Sequence, residues 1–152
     1  MAVSTAEART RIVADLGAAI DQLALATACL GEAYEHLDDA TADRLESELF
    51  RPAQRAYGRA KRTRGQFAGR FGLEAPDRES PSAGLASQGA KVFVTRAVTA
   101  AGEADRWIAE LQDSMLPIDA GDAELRAGLA EVRELITPLP AAAAAFLRTF
   151  GR

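Results

Sequence analysis

Residues 12–37 read IVADLGAAIDQLALATACLGEAYEHL, and the placing of their apolar residues decides the fold. Ile12, Leu16, Ala19, Leu23, Ala26, Leu30, Ala33 and Leu37 step by alternating fours and threes, which keeps them on one face of an α-helix. Val13, Ile20, Thr27 and Tyr34 form a second column seven residues apart. The apolar stripe is therefore wider than a two-stranded coiled-coil seam and suits the core of a bundle. Just upstream, Ser4 and Glu7 have the spacing of a capping box, so the first helix is predicted over about 5–37.

The same logic repeats along the chain. Asp38 and Asp39 can cap a second helix, predicted over about 40–71, whose apolar face is Leu45, Leu49, Ala53, Ala56, Ala60, Phe67 and Phe71. So short a connection makes the first two helices antiparallel neighbours. Pro52 interrupts this helix, because proline lacks an amide donor and crowds the preceding turn, and a kink is expected there. Residues 72–80 have no periodicity and read as a loop. Ser80 and Pro81 then resemble a cap and a first helical residue, placing a third helix over about 81–116 with Ala90, Val94, Ala97, Ala101, Ala104, Ile108, Leu111 and Met115 inward. Asp119 or Asp122 can cap the last helix, about 122–150, where Leu125, Leu129, Val132, Ile136, Leu139, Ala143, Phe146 and Phe150 hold phase through Pro138 and Pro140. The prediction is an all-α, antiparallel up-down-up-down four-helix bundle, kinked at Pro52 and at Pro138/Pro140 and forming a single domain over residues 1–152.

Composition agrees with that class. The chain is 48% apolar, enough for a core, and rich in alanine with few aromatic residues, which favours helices over sheets. Its net charge of −4 argues against a surface that is basic throughout, while leaving room for a local basic patch. One cysteine, Cys29, cannot form an intramolecular disulfide, so a reducing cytoplasm is the expected setting. No signal peptide or membrane span is expected, since no run of about 18 uninterrupted apolar residues occurs.

Carboxylate-bridged metals in bundles need a glutamate followed three residues later by histidine, twice over. This chain has one histidine, His36, preceded by alanine at that spacing, so no metal centre or other cofactor is expected. Catalysis by His36 and Cys29 fails on geometry, because seven helical residues separate them by about 10 Å along the axis. Gly65, Gly69 and Gly72 lack the strand and the lysine of a phosphate loop. No catalytic residue is assigned.

The most informative constellation is cationic. Residues 51–70 carry seven basic side chains and no acid, and Arg51, Arg55, Arg59, Arg62 and Arg70 fall within an arc of about 100° beside the apolar face. Such a ridge can be clasped by acids of neighbouring helices, meet an acidic partner, or bind nucleic acid or another phosphate ligand. Without aromatic residues on that arc, single-stranded nucleic acid is the weakest of these ligands. Arg64 stands apart, close to the apolar face, where it must snorkel or find a carboxylate. Tyr34, Tyr57 and Trp107 flank their seams and, together with Arg64, whose carboxylate can belong to another helix or to a ligand, are candidates for a pocket or a subunit contact. The functional expectation is a non-enzymatic protein-interaction or self-assembly module, with a homo-oligomer or another protein as partner. Anion or nucleic-acid binding at the ridge is the alternative, and a small-ligand-binding bundle the third.

Overall fold

The computed structural model describes residues 4–150. Helices take up 81% of them, and among the described residues there is no strand. Seven α-helical segments follow one another: α1 (Thr5–Tyr34), α2 (Asp39–Leu45), α3 (Arg51–Arg70), α4 (Ala90–Asp113), α5 (Leu116–Asp119), α6 (Ala123–Ile136) and α7 (Leu139–Phe150). A π turn, Glu46–Phe50, joins α2 to α3 without a loop, and a short 3-10 turn, Ala86–Gln88, precedes α4.

Side-chain caps set three of the helix starts. The Ser4 hydroxyl accepts from the Glu7 amide at 3.1 Å, Asp38 from Thr41 at 2.8 Å, and Asp122 from Leu125 at 2.9 Å. Each satisfies an amide that has no partner within its own first turn. The bond to the Thr41 amide also holds the Asp38 carboxyl below its ordinary range.

The π turn has a local cause. Leu45, Leu49 and Ala53 are spaced by two successive fours, which at about 100° per residue would carry the apolar stripe about 80° round the helix. Widening the turn returns these residues to one side, and all three are buried. Pro52 lies just downstream, where it can offer no amide to the Glu48 carbonyl, and the Arg51 amide bonds instead to the carbonyl of Glu46. At the other end of the chain, α6 stops at Ile136 and α7 resumes at Leu139 around Pro138, while Pro140 sits in the first turn of α7, where a missing amide costs little.

The helices share one apolar core. The most extensive packing is α1 on α4, then α3 on α6 and α1 on α3; α4 also touches α6 and α7. Alanines explain why α1 and α4 lie so closely together. Ala97, Ala100, Ala101 and Ala104 face inward from α4, and Ala19, Ala26 and Ala33 alternate with Leu16, Leu23 and Leu30 on α1, so large side chains fill the space that small ones leave. By length and composition α1 could cross a membrane, but just over half of its most apolar window is buried within the fold.

Four expectations need correction. The third helix starts at Ala90 and not near 81, because Gly84 and Gly89 adopt left-handed φ values of 113° and 86° that end any helical run through them. The loop therefore extends well beyond residue 80. That helix ends at Asp113; Met115 turns to φ 66° and is 47% exposed, outside the core in which its spacing had placed it. The first helix ends at Tyr34, with tighter bonds carrying the chain to Leu37. Phe93, absent from the predicted seam, is fully buried.

Candidate functional site: the two flanks of α3

Helix α3 has three sides. Ala53, Ala56, Ala60, Thr63 and Phe67 form its buried face. One flank, turned toward α6, carries the arginine ridge; Tyr57, Lys61 and Arg64 lie on the other flank, toward α1 and the following loop. The sequence places these groups so because residues at 57, 61 and 64 fall about 120–180° round the helix from the middle of the ridge.

Along the ridge, acids from α6 and its cap engage two arginines. Arg59 Nε donates to Glu131 Oε2 at 2.6 Å. Arg70 makes a fork with Asp122, at 2.6 and 2.9 Å, and adds an ion pair with Glu124 at 2.9 Å. Arg51, Arg55 and Arg62 are exposed and have no carboxylate within ion-pair distance among the described residues. Arg55, Arg59 and Arg62 line an open pocket of about 210 Å³ together with Gly58 and Glu131. The bond from Arg59, reinforced by the charges of Arg59, Arg62 and Arg55, holds the Glu131 carboxyl below its ordinary range. A single carboxylate thus lies among three guanidinium groups, two of them without a direct partner.

Arg64 is 7% exposed and neither snorkels nor meets a carboxylate. Its Nε donates to the Val13 carbonyl and an Nη to the Pro76 carbonyl, both at 3.0 Å. Burial first, then the neighbouring charge of Arg78, pulls its pKa below the ordinary arginine value. Arg78, in the loop, forms its own fork with Asp21 of α1, both bonds being 2.6 Å. Sequence reasoning missed this pair and the role of Asp122 as ridge acceptor, having assigned Asp122 only as a cap.

The aromatic candidates are scattered. Tyr34, 38% exposed, borders a pocket of about 250 Å³ with Gly31 and with Phe50 of the π turn. Tyr57 lies in a separate pocket under the Lys61 ammonium, 5.0 Å from its ring centre. Trp107 is 37% exposed on α4. His36 approaches Glu32 at 3.4 Å and Phe93 at 5.8 Å between ring centres, and among the described residues no three His, Cys, Asp or Glu side chains converge as a metal site requires. Cys29 is fully buried, and burial raises its thiol pKa, so it is not an exposed nucleophile.

No protein-family model matches the sequence, and neither a curated protein nor a solved structure shows significant similarity to it.

Proposed function

We propose that this chain is a non-enzymatic interaction module, a single-domain antiparallel up-down-up-down four-helix bundle kinked at Pro52 and Pro138/Pro140, which uses its arginine ridge to bind a carboxylate-rich protein surface. The observation that carries this reading is the division of the ridge. Arg59 and Arg70 are engaged by α6 and its cap, whereas Arg51, Arg55 and Arg62 stand exposed without a carboxylate partner among the described residues. Internal clasping would satisfy the row; a partial clasp orients it and leaves donors for another molecule. An acidic protein suits the ridge better than single-stranded nucleic acid, because its pocket is lined by arginines, Gln54, Glu131 and Leu135 and offers no aromatic surface on which bases could stack. The acidic balance of the chain makes a second copy one such partner.

The test is binding of a labelled glutamate-rich peptide to the full chain by fluorescence anisotropy, alongside native mass spectrometry over a range of protein concentrations. The expected result is salt-sensitive peptide binding that the combined substitutions Arg51→Gln, Arg55→Gln and Arg62→Gln weaken at least about tenfold, the equivalent of about 1.4 kcal/mol. A concentration-dependent dimer abolished by the same substitutions would identify the partner as a second copy. Peptide affinity and subunit number both unchanged by the substitutions would overturn the reading.

A further inference from the structure

The opposite flank of α3 holds a second cationic cluster, independent of the ridge. Arg64 is its buried member, and its two hydrogen bonds go to neutral carbonyls, leaving three of its five N–H groups outside those bonds. The guanidinium of Arg78 lies beside it. Gly17 makes this approach of like charges practicable: a Cβ there would lie 2.8 Å from an Nη of Arg78 and 3.3 Å from Nε of Arg64. Lys61, one turn before Arg64, holds its ammonium over Tyr57.

Lys61, Arg64, Arg78, Tyr57 and Asp77 line one pocket of about 100 Å³ between α1, α3 and the loop. Two carboxylates are near. Asp21, outside the lining, is already occupied in the fork with Arg78, and Asp77, a lining residue, is exposed without an ion pair among the described residues. Three cations against two carboxylates leave one positive charge in excess, in a site where a desolvated guanidinium has no direct counter-charge. The volume is well below the roughly 300–1,000 Å³ typical of drug-sized ligands, so the pocket suits an ion or the terminal group of a larger molecule.

We propose that this pocket is a binding site for a phosphate-type oxyanion. The cations come from two elements, Lys61 and Arg64 from α3 and Arg78 from the loop, and together they carry more N–H donors than the two oxygens of one carboxylate can accept, which suits the larger acceptor set of a phosphate. Tyr57 adds a phenol that can donate to a further oxygen. A bound anion would separate the charges of Arg64 and Arg78 and tie the loop to α3.

The experiment is calorimetric titration of the full chain with inorganic phosphate, and in parallel with acetate, at matched ionic strength and neutral pH. One saturable phosphate site per chain is expected, with acetate weaker. Lys61→Met should weaken phosphate at least about tenfold, since a charge-assisted bond is lost. Lys61 is exposed, so this variant is expected to keep the fold, which circular dichroism checks. The substitutions Arg51→Gln, Arg55→Gln and Arg62→Gln should leave phosphate affinity unchanged, separating this site from the ridge. The absence of saturable binding at millimolar phosphate, acetate binding as tightly, or phosphate affinity indifferent to Lys61→Met would each overturn the proposal, whatever the outcome at the ridge.

Discussion

Gly128 of α6 rests directly on Thr63 of α3: a Cβ at position 128 would overlap the Thr63 hydroxyl oxygen and methyl group. This contact sets how closely α6 approaches α3, and therefore how far Glu131, three residues beyond Gly128, reaches toward Arg59. Thr63 is itself fixed, buried with its hydroxyl donating to the Arg59 carbonyl at 2.8 Å and accepting from the Arg59 guanidinium at 3.2 Å.

Gly128→Ala is expected to destabilise the protein by about 1–2 kcal/mol, the overpacking cost exceeding the gain of up to about 1 kcal/mol in helix propensity. Thr63→Ala removes the two nearest obstructing atoms, so the loss should be smaller in that background. A double-mutant cycle by urea denaturation measures the coupling; strictly additive effects would mean that the helices separate freely at this point.

Two glycines of the α4 region should respond with opposite signs. Gly89 caps α4 at φ 86° and ψ 162°, a region open in practice to glycine alone, so Gly89→Ala is expected to cost about 1–3 kcal/mol. Gly102 lies in the middle of α4, exposed and with no neighbour within 4 Å of an added Cβ, so Gly102→Ala should stabilise by up to about 1 kcal/mol. Thermal unfolding of the two variants compares them directly, and a loss of stability in Gly102→Ala would contradict the packing described for that face.

The core was legible because it is periodic. Every residue of the first predicted seam from Ile12 to Ala33 is buried, and spacing alone brought Arg64 close to the apolar face. What spacing cannot convey is which atoms meet a side chain from a segment that has no period. The acceptor at Pro76 and the fork between Arg78 and Asp21 both depend on the loop after α3, and a lone arginine there gives no signal of its own. Ser80 and Pro81 look alike in a loop and at a helix start; what ends the run is the positive φ of Gly84 and Gly89, which their identity alone does not announce, since Gly102 lies within α4. Met115 kept the heptad phase of its helix, yet Pro117 two residues on favours an end to the helix, and phase has no meaning beyond that end.

Asp122 has two duties, capping α6 and receiving the Arg70 fork, and the bond to Arg70 depresses its pKa below the ordinary 3.8. A depressed carboxyl stabilises the folded state above the unfolded-state pKa, and this contribution is lost as pH falls through the folded-state value. Asp122→Ala is therefore expected to cost about 0.5–2 kcal/mol at neutral pH for the cap alone. Asp122→Asn should cost less, since its side-chain oxygen still accepts from the Leu125 amide. The gap between the native chain and Asp122→Ala should stay constant from neutrality down to about pH 5 and shrink below the ordinary aspartate range. Denaturation midpoints at a series of pH values check this, and a gap that widens in acid would refute the assignment.

Met115 supplies a prediction in the stabilising direction. It ends α4 in the left-handed conformation, with its amide donating back to the Gln112 carbonyl at 3.2 Å, the arrangement in which glycine is usually found after a helix. An L-residue bears about 1–2 kcal/mol of steric cost there, while glycine brings a smaller entropic penalty through the unfolded chain. The Met115 side chain is about half exposed, so its removal sacrifices little packing. Met115→Gly should therefore raise stability by about 0.5–1 kcal/mol, or a few degrees in Tm at this size. Met115→Ala tests the cause: it removes the same side chain but keeps the Cβ, so it should gain nothing. Equal gains in both variants would assign the effect to the exposed side chain and leave the left-handed turn without a measurable cost.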